Sequence, residues 1–567
     1  MEKFWDLPYE RIEFETIKAA HEKSLSALKN AKTYNEARDA FLAREKEDAH
    51  VSTTASVCMN RYQIDTRDEY YAKEREYWSN TMPQINGLNS EWTDALLASP
   101  FRADFEKEFG KLMFKNAEIR RRCFKPEIIA DLQEESRLVN EYSKLIASAQ
   151  IDFEGEKRTL PQMTPFKVSP DDKLRRAAWQ AEGDWYNSHG EELDEIYDKL
   201  VKVRDGMAKK MGYKNYLPLG YDNMCRNSYT AEDVAKFRDA VIKYLVPVAA
   251  QIKKEQVERT CLPYPMTLAD EGLVFRSGNA TPCGSSDDIL AAGRKMYHEL
   301  SPETAEFIDF LYDHELLDVL SKPGKGGGGH CATFMEYGAP FVFANFNGTQ
   351  GDVEVVTHEC GHAFASYMAR EIEPMASRHA TLESCEVHSM SMEFFAESWS
   401  EDFFGGDADK YRYSHLAYAI CFIPYGTMVD HFQHIVYEHP ELTPAQRHEE
   451  WKKLEATYRP WLKIAEIPFY GEGRGWQRQS HIYQRPFYYI DYCLAQTVAL
   501  QFWACIQRDR KDAWNRYMAL VRKAGTETFD GLVATAGLDT PFGDAAIEDV
   551  ANTAKKFLDE FDKSTLK

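Results

Sequence analysis

No stretch of the 567-residue sequence holds the ~18 to 20 consecutive apolar residues that a membrane-spanning helix needs. The opening residues, Met1 to Asp6, lack the basic start and apolar run of a secretory signal, so residence in the cytoplasm is expected. Positive charge is in deficit. With 69 Lys and Arg against 91 Asp and Glu, the formal net charge is −22, spread along the whole length. Binding a polyanion needs a basic surface that releases counterions, so no nucleic-acid partner is expected, and the charge serves solubility. Among 11 cysteines, an odd number, there is no C-x-x-C pair, which argues for reduced thiols instead of a disulfide framework. The glycine-rich run from Gly324 to Gly329 lacks the G-K-[ST] ending of a phosphate loop. It reads instead as a flexible flap bordering a cleft. There is no internal repeat and no Pro/Ser-rich linker to mark a domain boundary.

What is present is ordinary globular material, 44% apolar and 28% charged, in a chain long enough for two or more subdomains. Helical periodicity dominates. Leu193, Ile196, Leu200, Val203 and Met207 recur three and four apart, as do Val234, Phe237, Val241 and Leu245. Helix starts are signalled at Thr230 with Asp233, at Ser169-Pro170-Asp171-Asp172 and at Thr443-Pro444, with proline in the first turn of the last two. Strand signals are few: a hairpin over residues 151–160 around Gly155, and a run from Ala339 to Phe346 rich in aromatic and β-branched residues. The expected fold is mainly α, with an N-terminal helical portion over residues 1–200 and a catalytic portion over 201–567, the boundary being soft and the subdomains free to interleave. A few short strands are expected near the active site.

One motif carries chemistry. Residues 358 to 362 read His-Glu-Cys-Gly-His. On a helix, positions four apart share a face, so His358 and His362 can bind one zinc ion while Glu359 lies beside a water and acts as general base. Val353, Val355, Val356, Cys360, Ala363 and Phe364 make this helix apolar nearly all round, the mark of a buried one. Two imidazoles and a carboxylate in a dry interior without a cation would cost several kcal/mol, which argues against plain core histidines. The H-E-x-x-H-x-x-G-x-x-H pattern fails at Ala365 and Met368. A downstream acid must complete the site, and Glu383, Glu386 and Glu393, on a second helix after Pro374, are the candidates that spacing leaves open.

Taken in order, the glycine-rich stretch before Phe334, the strand Phe341 to Gly348, the H-E-x-x-H helix, the segment Glu386 to Glu393 and the segment His481 to Tyr492 resemble the thimet oligopeptidase family of zinc peptidases (M3), in its oligoendopeptidase F and Pz-peptidase branch. The resemblance covers roughly residues 320 to 495. It implies Glu386 as third zinc ligand, one Zn2+ per chain, and Glu354 as a carboxylate hydrogen-bonded to a zinc histidine. It implies His481, Tyr489 and Tyr492 as groups acting on the peptide, with Tyr483 and Tyr488 as substrate contacts. Phe343 and Ala344 are expected to bind the peptide backbone by strand addition. It further implies two helical subdomains enclosing a deep channel, and short unfolded oligopeptides as substrates. The alternatives are a zinc carboxypeptidase of similar helical build, or a peptide-binding relative without turnover, against which the intact Glu359 argues. Cobalt or manganese could also occupy a His/His/Glu site.

Overall fold

Periodicity becomes structure where the pattern is strongest. In the computed structural model, which describes residues 1–566, helix Gly190–Met211 buries Leu193, Ile196, Leu200 and Met207 along one face, and Val203 lies half-buried at its margin. It stops at Gly212, whose φ of 95° is the left-handed conformation that closes a helix. Thr230 and Thr443 each accept a hydrogen bond from the third residue of their helices, and Asp233 and Gln446 return the bond to the cap. At the Ser169-Pro170 signal the start shifts. Asp171 is the cap, its carboxylate accepting from the backbone of Lys173 and Leu174, so Pro170 precedes the helix instead of opening it.

The chain is mainly α, and its strands are short. They are β1 (Ile151–Phe153), β2 (Glu156–Arg158), β3 (Met266–Thr267), β4 (Leu317–Leu320), β5 (His330–Phe334), β6 (Ala339–Phe346) and β7 (Leu462–Lys463). β1 and β2 form the expected hairpin, with Glu154 and Gly155 both at positive φ in the turn. β3 and β7 pair in parallel. β6 is the centre of a three-stranded sheet, parallel to β4 and antiparallel to β5.

Backbone contacts group the chain into two units, each drawn from three stretches. One comprises Met1–Arg121, Thr281–Gly406 and Cys505–Leu538. It contains helices Phe14–Asn30, Tyr34–Ile64 and Glu69–Leu97, which close over a core that includes Leu25, Leu28, Phe41 and Trp92 and over a second one around Ile17, Cys58, Trp78 and Ile85. The sheet β4–β6–β5 and the H-E-x-x-H helix belong to the same unit. The other comprises Arg122–Ala280, Asp407–Ala504 and the chain from Asp539 on, with helix Ala408–Glu438 among its longest elements.

The route from β6 into the H-E-x-x-H helix, Gln350–Met368, is set by one carboxylate. Buried Asp352 accepts from the backbone N–H groups of Asn347 at 2.9 Å and Gly348 at 2.8 Å, fixing the turn at the helix N-terminus, where negative charge is also favoured. The next long helix, Leu382–Ala396, crosses it at Gly361. A Cβ there would stand 2.8 Å from the Ser389 Cα and 3.2 Å from the His388 carbonyl oxygen.

Gly361→Ala should therefore destabilise the protein even though alanine is the better helix former by ~1 kcal/mol. Its methyl meets backbone that no rotamer change can clear, and overpacking of that kind costs ~1–3 kcal/mol. A lower thermal midpoint is the expected outcome; an unchanged midpoint would mean the crossing is looser than described.

Candidate active site

His358 and His362 project from one face of the H-E-x-x-H helix, their ring centroids 5.0 Å apart and their planes at 87°. Glu386, from the crossing helix, brings Oε2 to 3.5 Å from His358 Nε2 and 3.6 Å from His362 Nε2. Ligands bonded to one zinc ion at 2.0–2.1 Å in a tetrahedron stand about 3.3–3.4 Å from one another. The two Glu386 distances are close to that spacing, and the three donor atoms all lie within 4.8 Å of each other. Of the three acids on the second helix, Glu386 is the one grouped with both imidazoles where a metal ion could be held. Glu383 is buried and accepts a hydrogen bond from Thr381 instead.

Both imidazoles are also held from behind. His358 Nδ1 is 2.6 Å from Glu393 Oε1, and His362 is hydrogen-bonded to the backbone of Cys385. Partners of this kind fix the ring orientation and leave Nε2 free to bind a metal. The acid met by His358 Nδ1 is Glu393, whereas Glu354 accepts from Gln350 on its own helix at 2.8 Å. Glu393 stood among the candidate ligands by spacing; its contact with His358 depends on where the two helices cross.

The electrostatics follow from burial and from the two carboxylates. Burial works against charge on His358, but its hydrogen bonds to the carboxylates of Glu386 and Glu393 outweigh it and raise this imidazole well above its ordinary pKa. His362 is pushed down to about 4, chiefly by burial. Burial raises the Glu359 carboxyl above the usual range, with the charges of Glu386 and Glu393 adding to the shift and His358 opposing it. A carboxylate raised in this way is better matched to accepting and returning a proton near neutral pH.

Glu359 faces the glycine-rich loop, and a Cβ added at Gly329 would lie 3.7 Å from its Oε1. That loop is tied down, which corrects the expectation of a free flap. Gly324 accepts from Thr66 through its carbonyl, the Gly326 N–H donates to the Gln63 carbonyl at 2.7 Å, and Asn345 Nδ2 donates to the carbonyls of Gly326 and Gly328. The Lys325 side chain is buried, paired with Asp318 and lying over the Phe343 ring.

Two expectations are overturned by position. Phe343 pairs with Asp318 on one side and His330 on the other, so its backbone cannot take an added strand. Ala344, one residue past the last β5 pair, has a buried side chain against Gly329. The outer strands of this sheet are β4 and β5, and His330–Thr333 are partly exposed. Tyr483 is a core residue and not a substrate contact: it is fully buried, stacks on Tyr142 at 4.0 Å, and its hydroxyl donates to the Leu193 carbonyl.

In the second unit, His481, Tyr488, Tyr489 and Tyr492 form one partly exposed cluster. The His481 ring lies 5.8, 5.0 and 5.9 Å from those three tyrosines in turn, and Tyr489 is 5.7 Å from Tyr492, one helical turn on. Gln479 holds His481 Nδ1 at 2.8 Å.

Comparison with known proteins matches the chain to peptidases. Residues 4–124 match the peptidase M3 N-terminal domain, and residues 297–551 match peptidase family M3. Among solved structures, PZ peptidase A, determined with an inhibitor, is 44% identical over 99% of this chain and 100% of its own, with a TM-score of 0.92. A chain from Bacillus anthracis, assigned as an oligoendopeptidase F, is 40% identical with full coverage of both chains and a TM-score of 0.88. The oligoendopeptidase F homolog of Borreliella burgdorferi is 23% identical over 70% of this chain and 67% of that protein.

If Glu393 orients His358, Glu393→Ala should weaken zinc binding about 10–100-fold, measured by competition with a chelator. An unchanged affinity would remove Glu393 from that role.

Proposed function

The chain belongs to peptidase family M3, in its oligoendopeptidase F and Pz-peptidase branch, and from that premise we propose that this metallopeptidase is a zinc endopeptidase that cleaves short unfolded oligopeptides. The observation that carries the proposal is the convergence of His358, His362 and Glu386 beside Glu359. In this reading His358, His362 and Glu386 hold one zinc ion, which when bound supplies a Lewis acid for the scissile carbonyl and lowers the pKa of water.

The protein's own groups do the rest. Glu359, its carboxyl raised by burial, takes a proton from the attacking water and delivers it to the departing amine. Hydrolysis then needs no covalent intermediate. Burial raises the Tyr489 phenol well above its ordinary pKa, so it stays protonated and can donate. His481, Tyr489 and Tyr492 are assigned to the peptide, where a donor aimed at the carbonyl oxygen stabilises charge that develops only in the transition state. Backbone pairing with the substrate falls to the outer edge of β5. The free thiols among the described residues suit a reducing compartment such as the cytoplasm.

Glu359→Gln should keep one zinc per chain while kcat falls about 10²–10⁴-fold; a fully active variant ends the assignment. Mass spectrometry of digests tests the substrate class. Peptides blocked at the C-terminus should be cut internally, and a folded protein should be spared. Cleavage only of peptides with a free terminal carboxylate would make this a carboxypeptidase, and equal rates on a folded protein would remove the size limit.

A further inference from the structure

Between helix Ser480–Gln484 and helix Tyr489–Arg508 the chain turns through Arg485, Pro486 and Phe487. Phe487 is fully buried, yet its φ is 65°. That left-handed conformation is unfavourable for a residue with a bulky side chain, and it persists only where the surroundings over-determine it. Here two buried side chains grip the residue by its backbone. Its N–H donates to Gln433 Oε1 at 2.9 Å, and its carbonyl accepts from Arg226 Nη2. The same guanidinium nitrogen lies 3.1 Å from Asp491 Oδ1, in the first turn of the following helix.

The ring is gripped as well. It lies 5.6 Å from the Tyr221 ring, 5.4 Å from that of His434 and 5.3 Å from that of Tyr437. Gly220 makes room for it, since a Cβ there would stand 2.5 Å from the phenyl group. Arg226 is stacked over Tyr221 at 4.2 Å. A guanidinium held away from water is costly unless it is paired, and this one is spent on a single turn and the start of one helix.

That turn determines where an aromatic cluster sits. Tyr488 follows Phe487 directly, Tyr489 opens the helix, and Tyr492 lies one turn further on. If Phe487 relaxed to a negative φ, the helix start would swing and carry these rings with it. We propose that Arg226 and Gln433 are positioning residues for the reaction: they hold Phe487 in its left-handed turn and thereby set the placement of Tyr488, Tyr489 and Tyr492. The proposal rests on the assignment of Tyr489 and Tyr492 to the peptide.

Gln433→Met removes the acceptor at nearly unchanged length, and Gln433→Glu keeps an acceptor oxygen. With zinc content unchanged, Gln433→Met should lower kcat about tenfold to a hundredfold, the scale expected when a reacting group shifts by about 1 Å, with little change in KM. Gln433→Glu should recover most of the loss. A 3-fluorotyrosine in place of Tyr492 reads position directly: its 19F line should shift or broaden in the Gln433→Met protein and return in the Gln433→Glu protein. An unmoved line, or an unchanged kcat, overturns the proposal. If Gln433→Met does not fold, Arg226→Lys, which keeps the charge but loses the forked geometry, is read in the same way. Should the wild-type protein cleave no peptide, the functional reading fails, and the fluorine line still decides whether Gln433 sets the ring.

Discussion

The close crossing of two helices at Gly361 is the contact on which the site depends. It brings a carboxylate from one helix against two imidazoles of the other, and it works only because residue 361 has no side chain to hold the backbones apart. Once the helices are that close, the remaining roles are distributed by reach. Glu386 faces both Nε2 atoms, while Glu393, two turns later, meets the back of His358. The neighbouring turn is fixed by Asp352, so the first turn of the H-E-x-x-H helix is held at the same time as its middle.

Such a crossing concentrates Glu359, Glu386 and Glu393 in a region of little solvent. Carboxylates so placed repel one another and resist ionisation, as the raised Glu359 carboxyl shows. A divalent cation held between two imidazoles and one of the acids would relieve that repulsion and would leave Glu359 as a base whose proton affinity is set by burial. The apolar sheath of the helix, including Val353, Val356 and Phe364, keeps the local dielectric low. Core packing and chemistry are therefore served by the same residues.

What could be read from the sequence was what is local in it. Two histidines four apart, a capping threonine three residues before its acid, and a glycine between two short strands all state their geometry within a single turn of chain. The choice among Glu383, Glu386 and Glu393 could not be read from spacing, because it is made by the helix crossing; the family resemblance implied Glu386, and this is the acid that the crossing brings beside both imidazoles. Partners from other elements were also out of reach. The pattern of Ala339 to Phe346 announces a strand but not that it lies between two others, which is why strand addition was expected at Phe343. In the run from His481 to Tyr492, buried Tyr483 and partly exposed Tyr488 look alike as letters. The left-handed Phe487 had no signal at all, since glycine or asparagine is the residue expected at such a φ.

X-ray absorption at the zinc edge of the purified, zinc-loaded protein tests the central claim most directly. Two imidazole nitrogens at about 2.0–2.1 Å and carboxylate oxygen at about 2.0–2.2 Å are expected, with no sulfur in the shell. A sulfur scatterer at about 2.3 Å would place the metal on cysteine and contradict the assignment to His358, His362 and Glu386.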